Sequence, residues 1–243
     1  MIDESGMRGR YEAIRAIWPD IFANPPGAAF EIITDRGEVE RAEREQETLL
    51  TSEGLPGRWS RTGVICEDNY IIFIRDAVRR LDGTFGTYDR ILPASGSAGA
   101  VVLPILDGHI VLIRHFRHAT RQFHIEAPRG FGEPGVSSRQ QARVELYEEI
   151  GAQVEDDGLV GLGRFHSNSG IASDCVELFA ATIDKVGSVQ AEEGISSLEK
   201  YSSEEVARLI STSEITDSFT IGAFTRAWLR GLLPGWPSPA NGT

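Results

Sequence analysis

Cys66 and Cys175 are the only cysteines in 243 residues. So small a number excludes a disulfide framework and a cysteine-rich zinc site, and it fits a reducing, cytoplasmic setting. Long apolar runs are missing as well. The start, Met1-Ile-Asp-Glu-Ser-Gly-Met-Arg8, lacks the hydrophobic stretch of a signal peptide, and no segment is apolar for long enough to span a bilayer, so no membrane partner is expected. Basic residues are scarce: 24 against 36 acidic ones, for a net charge of −12. Bulk attraction to nucleic acid or to an anionic membrane is therefore excluded. A phosphorylated ligand would need local arginines or metal ions to reverse the field. Repeats and low-complexity tracts are also absent, while a hydrophobic content of 41% leaves enough material for a core.

The N-terminal part reads as helical. Ile14, Ile17, Trp18 and Phe22 recur near helical spacing over residues 11–22, interrupted by Pro19. Residues 35–50 carry mixed charges and read as an exposed helix in a solvated extension. Gly54, Pro56 and Gly57 mark a linker over 51–59. From Thr62 the pattern changes to strands: a run over 63–80, a turn at Asp82-Gly83, a strand to Leu92, then strands over 98–106 and 109–114 joined by Asp107-Gly108. Later strands are expected over 159–164, 174–183 and 195–201, and helices over 203–210 and 218–231. The organisation is an N-terminal helical extension and linker (1–60), a main domain (61–233) and a Pro-rich tail (234–243). Strands interrupted by one helix and followed by two more give an α/β (α+β) fold, a mixed sheet with helices on both faces.

The chemistry concentrates between His124 and Gly151. Ser138 and Gln141 have capping-box spacing and Gly151 is a natural helix stop. Ala142, Leu146 and Ile150 form the buried stripe, which leaves Glu145, Glu148 and Glu149 at its rim. Three carboxylates crowded there need a cation, and hard oxygen ligands at short spacing favour Mg²⁺, with Mn²⁺ as a substitute. His115, His118, His124 and His166 fit no zinc spacing.

Gly130 followed by Glu145-Leu-Tyr-Glu-Glu-Ile-Gly151 resembles the signature box of Nudix hydrolases. Val136 and Val144 stand where that box has its first glutamate and its arginine. The segments 83–90, 111–117, 125–130, 165–174 and 214–220 resemble successive landmarks of the ADP-ribose pyrophosphatase branch. The resemblance implies a Nudix-type α/β/α sandwich, and a metal site of Glu145, Glu148, Glu149 and the Arg129 carbonyl. It also implies Arg117, Arg114 and Glu126 on the substrate side, with Glu192 or Glu193 in a late loop, or Glu148, as the catalytic carboxylate. It implies Mg²⁺-dependent cleavage of a nucleoside diphosphate derivative, ADP-ribose or a nucleotide sugar, by a homodimer. Both missing box residues are replaced by valine, which reads as loss of a structural ion pair in which neither partner is left stranded. The alternative is an impaired domain that binds a nucleotide metabolite as a sensor.

Overall fold

The computed structural model describes residues 4–187 and 194–233. The chain forms two compact units. The first runs to Gly96 and includes Asn168–Asp174; the second comprises Ser97–Ser167 and the chain from Cys175 onward.

In the first unit, helix α1 (Glu4–Ile17) stops ahead of Pro19, which opens a separate 3-10 turn at Pro19–Phe22. A proline inside the helix would remove a hydrogen bond and clash with the preceding turn, so the expected helix over 11–22 is divided there. Strand β1 (Phe30–Ile32) leads to α2 (Arg36–Ser52), whose first turn is capped by the Asp35 side chain accepting from the Glu38 amide. Strands β2 (Gly63–Glu67), β3 (Ile71–Arg80) and β4 (Phe85–Pro93) follow. The single run read over 63–80 breaks because Asp68 accepts hydrogen bonds from the Tyr70 and Ile71 amides, at 2.7 and 2.9 Å, and turns the chain. All pairs are antiparallel, with β3 between β4 on one edge and β1 and β2 on the other.

Tyr11, Ile14 and Phe22 bury their side chains with Val64, Ile72, Ile74 and Leu92. On α2, the buried Glu43 accepts from both the amide and the hydroxyl of Thr62 and pairs with Arg8 at 2.8 Å. Helix α2 is largely exposed, as its charge implies, but it buries Ala42 and Glu43, and α1 supplies Tyr11 and Ile14 to a core. The compact units divide after Gly96, whereas the composition suggested a boundary near residue 60.

The second unit holds β5 (Gly99–Leu106), β6 (His109–Arg117), β7 (Gln122–Glu126), β8 (Arg129–Gly130), α3 (Ser138–Ile150), β9 (Leu159–Phe165), β10 (Val176–Thr182), β11 (Ile195–Tyr201), α4 (Ser203–Ser211) and α5 (Ser218–Leu229). The sheet order is β11-β6-β5-β10-β9, with β7 also on β6 and β8 also on β5. Among the described residues of this sheet, β5 and β10 pair in parallel and the other strand pairs are antiparallel, so the sheet is mixed.

Side chains alternate across a strand. Val101, Leu103 and Ile105 face a core that includes Val206 and Leu209 of α4 and Ala223, Phe224 and Ala227 of α5. Ala100 and Val102 face the other core with Ala142, Leu146 and Ile150 of α3. Every residue of β5 is buried, as expected of a strand covered on both faces. This is the α/β/α sandwich with a mixed sheet read from the sequence.

Helix α3 begins one residue earlier than its capping signal implied. Ser137 is the N-cap and forms the reciprocal box with Gln140, where Ser138 and Gln141 were expected. Its end is as expected: Gly151 is left-handed, with φ of 63°. A side chain at Gly151 would come within 2.7 Å of the Gly187 backbone, whose amide donates to the Ile150 carbonyl.

Candidate metal and phosphate site

The carboxylates of α3 separate by face. Glu145 and Glu149 lie one helical turn apart and are 8% and 2% exposed, whereas Glu148 is exposed. Glu148 instead lines an open groove with Val144, Tyr147 and Val154. The three glutamates expected to share one rim therefore divide into an inward pair and an outward single.

The inward pair meets the segment joining β7 to β8. Glu149 accepts a 3.0 Å hydrogen bond from the Arg129 amide, and Glu145 accepts a 2.6 Å bond from the Gln141 side chain. Gly130 lies directly under the Glu145 carboxylate: a Cβ there would sit 1.8 Å from Oε1 and 2.2 Å from Cδ. Glycine is required at this point because the carboxylate occupies the space of a side chain. Because Gln140 and not Gln141 closes the capping box, the Gln141 side chain is left to donate to Glu145 one turn on.

Glu126, at the end of β7, is 1% exposed and accepts from Arg117 Nε and Nη2, at 2.8 and 2.5 Å. Arg129 Nε lies 3.5 Å from the same carboxylate oxygen. Burial, the largest single influence, pushes the Glu126 carboxyl up. The Arg117 hydrogen bond and the charges of Arg129, Arg117 and His115 together outweigh it and hold the group below the usual carboxylate range. Buried under two arginines, Glu126 is placed to hold them. Arg117 keeps 26% of its side chain exposed. Arg114, further back on β6, stacks over Phe123 with its guanidinium carbon 4.0 Å from the ring centre.

Arg129 reaches Asp217 through Nη2 at 3.4 Å and lies over the Phe219 ring. No local signal in the sequence points to this Asp217 contact, which lies in the 214–220 segment. Glu192 and Glu193 lie outside the described residues.

The residues present can be tested against a divalent cation. Among the described residues, no three His, Cys, Asp or Glu side chains gather as a ready-made metal cage. Mg²⁺, however, is commonly held by one or two carboxylates plus waters and substrate phosphates. Two buried carboxylates one turn apart, accepting from an amide and a side-chain amide N–H, fit that demand.

The box valines do not form a buried apolar substitute for an ion pair. Val144 is 40% exposed, and neither it nor Val136 belongs to the hydrophobic clusters. Val144 faces outward on α3 and Val136 is half-buried in the loop before it, so neither takes the place of a fully buried group.

No family model matches this chain. A 75-residue stretch is 32% identical to the ADP compounds hydrolase NudE of Escherichia coli (strain K12), covering 31% of this chain and 40% of that protein. The matched stretch thus spans less than half the length of the curated relative. A crystal structure of an ADP compounds hydrolase superposes with a TM-score of 0.59 at 19% identity, covering 70% of this chain and 92% of that one. The chain thus shares the fold of an ADP compounds hydrolase, and one stretch of its sequence is similar to such a protein. The Gly130 and Glu145 contact joins the loop and the helix of the segment that resembles a Nudix box.

Proposed function

We propose that this protein is a Nudix hydrolase of the ADP-ribose pyrophosphatase-like branch, which hydrolyses the diphosphate bond of a nucleoside diphosphate derivative, ADP-ribose or a nucleotide sugar, to a nucleoside monophosphate and a sugar phosphate. The observation that carries this reading is the buried Glu145 and Glu149 pair, held against the Arg129–Gly130 backbone. The name of the Escherichia coli relative, an ADP compounds hydrolase, supports the substrate class.

Mg²⁺ or Mn²⁺ bound at these carboxylates would neutralise diphosphate charge and lower the pKa of water. Glu145 and Glu149 would hold the ion, with the Arg129 carbonyl as a further oxygen ligand and Glu148 as a partner for a second ion. Arg117, fixed by Glu126 and still partly exposed, would bind phosphate oxygens, with Arg114 beside it on β6. The water oxygen attacks one phosphorus, the bridging P–O bond breaks, and Glu192, Glu193 or Glu148 takes the proton. A homodimer belongs to the same reading, and light scattering in solution tests it. Among the described residues no helix is long and apolar enough to cross a membrane. A cytoplasmic location rests on the two cysteines.

A second reading, a nucleotide-binding sensor, is favoured by the outward position of Glu148 and the valine at 144. Phosphate release from a panel of diphosphate nucleotides, with coupled phosphatase and added Mg²⁺ or Mn²⁺, separates the two. Turnover lost in Glu149→Gln supports the hydrolase; ligand binding without turnover under either metal supports the sensor.

A further inference from the structure

The segment Ala127-Pro128-Arg129-Gly130 has a partner on each side. On the α3 side, the Arg129 amide donates to Glu149, and Gly130 lies under Glu145. Below, the Val102 amide donates to the Pro128 carbonyl at 2.9 Å. On the α5 side, the Ala127 amide donates to Thr220 Oγ1 at 2.9 Å, and that hydroxyl donates in turn to Asp217 Oδ2 at 2.7 Å. A hydroxyl has one proton to give and lone pairs to accept with, so Thr220 uses both capacities here. Asp217 Oδ2 also accepts from the Thr220 amide as the cap of α5, while Oδ1 faces Arg129 Nη2. Ala127 and Thr220 are fully buried, so no solvent replaces these bonds.

We propose that Asp217 and Thr220 are positioning residues: from the N-terminus of α5 they clamp the Ala127–Gly130 segment so that its backbone meets the Glu145 and Glu149 carboxylates. The inference rests on the reading of those two carboxylates as the metal site. It gives the landmark at 214–220, 93 residues from Ala127 in sequence, a mechanical role. Thr220 fixes one end of the segment through its hydroxyl, and Asp217 steadies Arg129 by charge. Arg129 is thereby held at its side chain by Asp217 and at its amide by Glu149.

The test uses full-length Thr220→Val, which keeps the shape but has no hydroxyl, Thr220→Ser, which restores it, and Asp217→Asn, which keeps a capping oxygen but removes the charge. Amide exchange is followed by NMR in the metal-free protein, and Mn²⁺ binding by calorimetry. Thr220→Val should exchange roughly tenfold faster at Ala127 and Arg129 and bind Mn²⁺ more weakly, while β5 and β10 amides stay protected. Thr220→Ser should return both readouts to wild type, and Asp217→Asn should affect Arg129 more than Ala127. Unchanged protection at Arg129 in Thr220→Val, or a uniform rise in exchange across the second unit, overturns the clamp, as does unaltered Mn²⁺ affinity once the segment is loosened. A wild-type protein that takes up no Mn²⁺ defeats the hydrolase reading instead, and the exchange pattern then decides the clamp by itself.

Discussion

Replacing Gly130 by alanine should separate the stability of the fold from the integrity of the site. The backbone at Gly130 is not left-handed, so the substitution brings no conformational strain; its effect is the space taken by one methyl group. That methyl would lie 1.8 Å from Glu145 Oε1 and 2.6 Å from Oε2. The carboxylate must retreat by more than an ångström before contact becomes tolerable. Two responses are open. If the backbone moved, the cost would resemble core overpacking, about 1 to 3 kcal/mol. The carboxylate is the far end of a rotatable side chain, so it moves first, losing its 2.6 Å bond from Gln141. We therefore expect a fall in melting temperature equivalent to roughly 1 kcal/mol. Divalent-metal affinity should drop by roughly ten- to a hundredfold, the range seen when the groups orienting a ligand are lost. Calorimetric Mn²⁺ titration beside thermal unfolding reads both quantities. Wild-type Mn²⁺ affinity in Gly130→Ala would refute the claim that Gly130 exists to seat the Glu145 carboxylate.

Glu126→Gln should destabilise the protein at neutral pH by roughly 2 to 3 kcal/mol, below the usual cost of breaking a buried pair because both arginines remain about a quarter exposed. A carboxyl held below its ordinary range stabilises the fold above its unfolded pKa, so the gap between wild type and variant should close as pH falls below about 4; a constant gap in acid denaturation would contradict the assignment. Tyr11 donates to Asp76 at 2.5 Å, and burial, then Asp76, push its hydroxyl far above the ordinary range. A raised pKa gives stability that is complete below the unfolded value and lost above it, so unfolding should set in more steeply than in Tyr11→Phe as pH rises past about 10. Val144→Arg should change stability by no more than about 0.5 kcal/mol, because the position is outward; a gain of several kcal/mol would show that the missing box arginine had been a structural brace here.

The elements legible in the sequence are those whose signal is local. The α3 stripe of Ala142, Leu146 and Ile150 is fully buried, as its spacing implied. The Asp107-Gly108 turn has both residues at positive φ, 51° and 75°, the conformation that the dipeptide favours. Strand β7 carries no such signal. Its turn is closed by Arg121 at φ of 57°, a left-handed residue that is not glycine, and its pairing partner on β6 supplies the register. Strands β1 and β8, three and two residues long, exist only through pairing with β3 and β5. The boundary near residue 60 rested on a change of composition, which does not show that α1 buries a face with only Tyr11 and Ile14.

The same distinction governs the site. Spacing placed Glu145 and Glu149 on one face, but nothing in the spacing separates Glu148 from them; only the packing of α3 against β5 and β10 decides which carboxylates point inward. Gly130, Gln141 and the Arg129 amide all meet the inward pair. A box motif read as a string counts all its positions alike. Physically they differ: two carboxylates and a glycine define where the oxygens lie, whereas an outward arginine adds a solvated contact worth little. A box that has lost its arginine but kept the glycine and the amide beneath the carboxylates has therefore given up the cheaper half of its architecture.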